Sequence, residues 1–340
     1  MTIARDSKWS VLDYTPLATL VERTDNALDQ LGLFEEIFGQ TTTAEVERIT
    51  EGSDTVEAKE RGGDRNYAGD EQSQIEYFRI PFFPLDKLAK PQDVQDLREY
   101  GEANTPASVE RRVEKNIARI RRSHDFLRRS AMYACLKGNT YASGLAGSQY
   151  VKNYASVFGV TADVFTGGIN FTDAAADPAL YVEKNCREHI TDNAKDNASN
   201  YSVVALCGSG FFNSMIHHPL VQAAYSQYSS REEVLRNRLG GDIVGRLFEH
   251  KGVLYIEDVS KQIARDEAFV LPQGISDMFQ MHYAPSDTIE GANMTAEPLY
   301  IFLEEDRRKV AIETETSFVC VNTRPELVCN LTSNTLLPDA

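Results

Sequence analysis

Residues 106–137, PASVERRVEKNIARIRRSHDFLRRSAMYACLK, decide how this chain is read. From Val109 the apolar or half-apolar positions recur at Val113, Ile117, Ile120, His124, Leu127, Ala131 and Ala134, in steps of three and four that keep one helical face continuous. Thr105 is placed to cap the start. Pro106 suits a first helical position, whose N–H has no intrahelical partner, and Gly138 is placed to end the helix. At 1.5 Å per residue the rod is about 48 Å long, the span of a small domain.

The other face carries Arg111, Arg112, Lys115, Arg119, Arg121, Arg122, Arg128 and Arg129 against only Glu110, Glu114 and Asp125. Such a face wants anions. Three readings of it are open: it is solvated and laced with local ion pairs, it bridges to another copy of the chain, or it contacts nucleic acid. The chain holds 51 acidic and 35 basic residues, a net charge of -16, and a pI near 4.9, which opposes phosphate binding.

With 340 residues, 42% hydrophobic and 25% charged, the chain has enough apolar surface for an ordinary core and the length of two or three structural units. The start, MTIARDSKWS, has no apolar signal region, and no stretch approaches the roughly eighteen apolar residues that span a bilayer. A soluble chain with no membrane segment is expected. Cys135, Cys186, Cys207, Cys320 and Cys329 are odd in number and lack C-x-x-C spacing, so buried thiols in a reducing compartment are expected rather than disulfides or zinc.

Outward from the rod, residues 1–40 carry only scattered anchors, among them Trp9, Leu17, Leu28, Phe34 and Phe38, and read as an arm without its own core. Residues 41–85 read as two extended runs, Ala44–Thr50 and Gln74–Phe83, around the polar insert EGSDTVEAKERGGDRNYAGDEQ. An insert that long either projects and is ordered by a partner or forms a mobile surface hairpin. Short turns of helix are expected from Leu85 into the rod, and a mixed region with the turn signals FGV, TGG and ADP follows it. A helix from Pro178 to Asn193, an apolar strand from Tyr201 to Cys207, a glycine turn and a helix from about Phe211 to Tyr228 make an αβα unit whose helices cover both sides of the strand. An Arg/Glu-rich helix and the strand GVLYIED come next. Asp277–Pro298 has too few apolar residues for the core and reads as a loop, and strands Val310–Asn322 and Glu326–Thr332 close the chain.

Three places could carry chemistry. Cys207-Gly208-Ser209-Gly210 sits at a strand-to-helix turn, but a nucleophile elbow needs glycine at Cys207 and a dinucleotide loop needs glycine at Asn213, so a tight turn is expected. His217-His218-Pro219 puts adjacent imidazoles about 100° apart on a helix, which favours a helix-interrupting turn over a metal site. His189 with Cys186 supplies two ligand types and no more. The pairs Glu35-Glu36 and Glu304-Glu305 have no pocket signal around them. No enzyme activity, metal or cofactor is expected from these constellations.

What remains is an order of parts. An anchor-poor arm, a charged hairpin containing Arg61-Gly62-Gly63, the return IPFFPLDKL, a basic rod ending in ACLKG, an FGV turn, an αβα unit and closing strands follow one another. That succession resembles the major capsid protein of lambda-like tailed phages, the family called phage major capsid protein E. The resemblance runs from about Phe34 to Thr332, with short matches such as VEKNIARIRRSHDFLRRSAMYACLKG. It implies an α+β, Hong Kong 97-like fold, in which an N-terminal arm and an extended loop reach over neighbouring subunits. A peripheral domain carries the long spine helix, and an axial domain meets its copies at the capsomer centre.

By segment, the resemblance makes 1–40 the arm, 41–85 the extended loop, 86–177 with 308–334 the peripheral domain around spine helix 106–137, and 178–307 the axial domain. It implies a structural protein of a tailed double-stranded DNA phage that self-assembles into hexamers and pentamers of an icosahedral head, in the host cytoplasm and then in the virion. Partners would be further copies of itself, a separate scaffold, a portal, decoration or cement proteins, and packaged DNA enclosed without sequence-specific binding. Inter-subunit contacts are expected at Arg119, Arg122 and Arg129 on the spine and at Lys59, Arg61 and Arg65 in the loop. Two readings of other classes stand beside it: a metabolic α/β enzyme built around Val203–Asn213, and a nucleic-acid-binding protein using the arginine face.

Overall fold

The three-four periodicity becomes one helix of 28 residues, Val109–Leu136, about 42 Å long. In the computed structural model the described residues are 12–13, 27–50, 72–93, 95, 109–145, 147–161, 164–194, 201–225, 245–289, 291 and 293–337. The strands are β1 (Leu12–Asp13), β2 (Phe34–Phe38), β3 (Thr43–Thr50), β4 (Gln72–Arg79), β5 (Phe82–Pro84), β6 (Lys87–Ala89), β7 (Val164–Asn170), β8 (Ser202–Cys207), β9 (Leu247–His250), β10 (Val253–Glu257), β11 (Glu267–Gln273), β12 (Phe279–Tyr283), β13 (Tyr300–Asp306), β14 (Lys309–Asn322) and β15 (Cys329–Thr335). The helices are α1 (Ala27–Gln30), α2 (Val109–Leu136), α3 (Tyr154–Phe158), α4 (Pro178–Val182), α5 (Glu188–Ala194), α6 (Ser209–His217) and α7 (Pro219–Tyr225), with a π-helical turn, Glu183–Arg187, between α4 and α5.

The long helix α2 is buried differently at its two ends. Its first half buries one stripe: Ile117 and Ile120, with Val113 beside them, pack on Ile301, Leu303 and Ile312. Each such aliphatic side chain contributes about 1.5–3 kcal/mol by leaving water. In the middle, His124 Nε2 meets Thr314 Oγ1 at 3.1 Å. From Ala131 onward Met132, Tyr133, Cys135 and Leu136 are buried as well, so this end runs into the main core. Gly138, at φ +82°, ends the helix in a Schellman turn: its N–H donates to Cys135 O at 3.0 Å and the Asn139 N–H to Ala134 O at 3.1 Å. Thr105 and Pro106 lie outside the described residues.

Two sheets and a hairpin carry the rest. The seven-stranded sheet runs β1-β13-β14-β12-β2, with β5 and β6 also paired on β14. Strand β14 organises it, pairing along Lys309–Glu315 with β13 and along Phe318–Asn322 with β12. The six-stranded sheet runs β7-β15-β11-β8-β10-β9, and β3 with β4 form the hairpin. In β8 the residues alternate between two cores. Val203, Ala205 and Cys207 join Val182, Cys186, Ile190, Phe211 and Met215 on the helix-covered face. Val204 and Leu206 join the cluster that holds the end of α2. The flanking helices therefore share one face of the strand, and the other is closed by the main core rather than by a second helix layer.

Several sequence expectations are corrected here. Residues 27–38 do not belong to a coreless arm: Leu28 and Leu31 are buried, and Phe34 packs on Phe279 in a tilted pair with ring centroids 5.1 Å apart. Lys87–Ala89 is a strand paired on Val310–Ile312, not a turn of helix. Within Asp277–Pro298, the residues Phe279–Tyr283 form a fully buried strand between β14 and β2. Its polar members hid it, because Gln280 and His282 satisfy each other across 2.9 Å. The segment boundaries at 178 and 307 also cut through both sheets. β7 and β15 pair into the six-stranded sheet, whereas β12 and β13 belong to the other. The break at His218-Pro219 falls where expected, between α6 and α7.

Candidate assembly surfaces

The hairpin is fastened at its root. In antiparallel pairing, directly opposed residues share a face, so Ala44 with Phe78 and Val46 with Glu76 look inward while Glu45 with Tyr77 and Glu47 with Ile75 look outward. Ala44, Val46 and Phe78 are buried, and Phe78 packs on Tyr154 and Phe158 with centroids 6.1 and 6.4 Å away. Arg48 reaches Glu326 at 2.7 Å, and Lys152 Nζ donates to Tyr77 O at 2.6 Å. Tyr154 hydroxyl donates to Cys320 O, so the helix under the hairpin is itself tied to β14. The outward face keeps Ile75 47% and Tyr77 57% exposed, an apolar pair between acidic cross-strand neighbours. Lys59, Arg61 and Arg65 lie outside the described residues.

The basic face of α2 divides in two. Arg128 lies one turn beyond His124 on the flank of the apolar stripe, and its fork holds Asp29 at 2.5 Å and Glu36 at 2.7 Å. Burial alone lowers its pKa, and Tyr283, Asp29 and Glu36 more than reverse that, holding it above its ordinary value. Arg119 and Arg122 are instead exposed, with no carboxylate partner among the described residues. Arg129 is half-buried, and its Nε has no hydrogen-bond partner among the described residues. Among the described residues the three arginines expected at subunit contacts thus have no carboxylate partner, and a fourth, Arg128, is paired inside the chain. The signal for Arg128 was in the sequence: position 128 is four residues from His124 on the buried side.

A family model for phage major capsid protein E matches residues 15–333. The chain belongs to that family. It is 28% identical to the major capsid protein of Pseudomonas phage KPP10, over 93% of this chain and 94% of that protein. Among solved structures, the cyanophage Pam1 capsid matches with TM-score 0.54 at 12% identity, covering 98% of this chain and 94% of that one. The bacteriophage PhiM1 mature capsid matches with TM-score 0.52 at 12% identity, covering 90% and 86%. At such identities the likeness concerns the fold, which is the α+β, Hong Kong 97-like one. A major capsid protein is a structural component of the virion, and neither the enzyme nor the nucleic-acid reading has support among these relatives.

For a capsid protein the suspected chemical sites have structural explanations. Cys207 is fully buried and its thiol is pushed far above its ordinary pKa by burial and then by Glu257, the opposite of an activated nucleophile. A Cβ on Gly208 would lie 1.9 Å from Ala264 O, so the glycine answers a close crossing of two backbones. All five cysteines are buried and free. His189 Nε2 contacts Glu326 O at 3.0 Å and His218 Nε2 contacts Asp173 O at 3.1 Å. Among the described residues no group of three or more metal-ligating side chains gathers, and no helix is long and apolar enough to cross a membrane. A cleft of about 560 Å³ beside the hairpin root is lined by Glu45, Glu47, Arg48, Asp277, His282 and Arg324 among others. Burial lowers the His282 imidazole to about 4, so it is neutral near pH 7 rather than poised for proton transfer.

Proposed function

We propose that this major capsid protein assembles into the hexamers and pentamers of an icosahedral head, with the arm and the tip of the β3–β4 hairpin lying over neighbouring subunits. The observation that carries this reading is the hairpin: its root is locked to the core by Ala44, Val46 and Phe78, while its strands lead into the polar insert 51–71. Polar tips with few apolar residues gain nothing from their own chain and become useful against another. In this reading α2 and the seven-stranded sheet serve as the peripheral domain, and the six-stranded sheet with α4–α7 as the axial one. Arg119, Arg122 and Arg129, with Lys59, Arg61 and Arg65 of the hairpin tip, contribute contacts to neighbours.

Assembly takes place in the host cytoplasm with a separate scaffold and a portal, and decoration or cement proteins bind the finished shell. The net charge of -16 keeps packaged DNA from adhering to the wall, so the genome is enclosed rather than bound. Deleting residues 51–71 and joining Thr50 to Gln72 through a short turn leaves a folded, soluble protein with an unchanged melting temperature and no shells by negative-stain microscopy. Shells of normal size and yield from the deletion would remove the hairpin from this role.

A further inference from the structure

The peripheral unit has two opposed outer faces of opposite charge, and we propose that they are the two halves of one head-to-tail contact: the basic stripe of α2 docks on the outer face of the β13–β14 ribbon of a second copy of this chain. The inference rests on the capsid reading and names the carboxylates met by arginines that have no carboxylate partner among the described residues.

The basic half is a stripe. Arg112, Arg119, Arg122, Phe126 and Arg129 fall at helical steps that place them on the side of α2 opposite Val113, Ile117, Ile120 and Leu127. It runs about 25 Å along the helix. Arg112, Arg119 and Arg122 are exposed, and Phe126 is 58% exposed in their midst.

The acidic half lies on the far side of the sheet that α2 covers. Ile301, Leu303 and Ile312 face the helix, so their strand neighbours Phe302, Glu304 and Glu313 face away from it, as do Tyr300 and Glu315, directly opposed in the ladder. Tyr300 and Phe302 stack with centroids 6.3 Å apart between those carboxylates. Burial raises the pKa of Glu315, the Asp287 N–H that donates to its Oε1 at 3.0 Å lowers it, and the charges of Asp287, Asp86 and Glu313 raise it again, so several carboxylates gather here. Arginine is the side chain that suits such a surface, since its planar fork pairs with carboxylates and stacks on aromatic faces.

The placement adds a second argument. A basic face and an acidic face on opposite sides of one helix-on-sheet unit cannot meet within the subunit. Between copies they meet heterologously, each subunit giving its helix to one neighbour and its ribbon to the next, an arrangement that forms a ring when the rotation between copies closes.

The test is a charge exchange in the full-length protein, read as shell yield by sedimentation and negative stain. Arg119→Glu with Arg122→Glu, or Glu313→Arg with Glu304→Arg, each lowers yield at least about tenfold, and the four together restore it to within about threefold of wild type. Circular dichroism melts establish that each variant folds. The milder pair Arg122→Gln and Glu313→Gln gives a further reading on proteins with no new charge. Recovery in the combined variant supports the contact. No recovery, with wild-type shells intact, overturns it and leaves the capsid reading standing. Rescue of the arginine reversals by reversing acidic residues of 51–71 instead also overturns it, by moving the partner to the hairpin, as does unchanged yield with lost DNA retention. A wild-type chain that forms neither rings nor shells, alone or with a scaffold, sinks the reading of hexamers and pentamers, and the contact with it.

Discussion

Arg128→Met is expected to lower the stability of the folded chain by about 3–5 kcal/mol, seen as a lower denaturant midpoint with an unchanged slope. Most of the basic residues of α2 could be replaced for far less, since exposed ion pairs contribute about 0–1 kcal/mol. Burial decides the difference. The side chains of Arg128 and Asp29 are only 13% and 6% exposed, and Glu36 is 26% exposed. Removing the guanidinium leaves two carboxylates beside Tyr283 without the fork that bridged them. Arg128→Lys recovers only part of the loss, because an ammonium cannot fork between two separate carboxylates. Neutralising the acids along with the arginine, as Asp29→Asn and Glu36→Gln, recovers most of it. A loss under about 1 kcal/mol for Arg128→Met would place this cluster with ordinary surface pairs.

Gly208→Ala is the second large effect. Its Cβ would sit 1.9 Å from Ala264 O and 2.9 Å from Ala264 C, both backbone atoms. The crossing segment cannot retreat freely: the Gly208 N–H donates to Glu267 O at 2.9 Å and the Phe211 N–H to Arg265 O at 2.8 Å. Overpacking against flexible side chains costs about 1–3 kcal/mol, and against a pinned backbone the cost is expected at or above about 3 kcal/mol. Gly32→Ala is the control. At φ +61° with nothing within 4 Å of its Cβ, it is strained but unobstructed, and about 1–2 kcal/mol is expected. Thermal melts of the two variants side by side separate them, and equal losses would mean that the crossing at Ala264 opens easily.

What could be read without a structure was what local pattern encodes. The stripe from Val113 to Ala131 gave the long helix, Gly138 its end, the extended runs on either side of the polar insert the hairpin strands, and Pro219 the break between α6 and α7. What stayed hidden was what distant segments decide. Strand β12 was unreadable because Gln280 and His282 look like loop residues until they are seen to pair with each other. The membership of β15 in the six-stranded sheet depends on its pairing with β7 and β11, far away in the chain, which no local pattern announces. For Arg128, one of eight basic residues, spacing from His124 marked the side of the helix but not the partners, since its carboxylates come from a segment read as an arm. In the sequence Arg119, Arg122 and Arg129 stand out by charge alone, and what distinguishes them in the structure is that no carboxylate among the described residues pairs with them.

The most direct measurement is electron microscopy of the purified full-length chain, concentrated with neither ligand nor nucleic acid. Rings or closed shells with five- and six-fold capsomers are the expected result, with the hairpin of each subunit resting on its neighbour. A chain that melts cooperatively yet stays monomeric at every concentration and ionic strength tried would contradict the account.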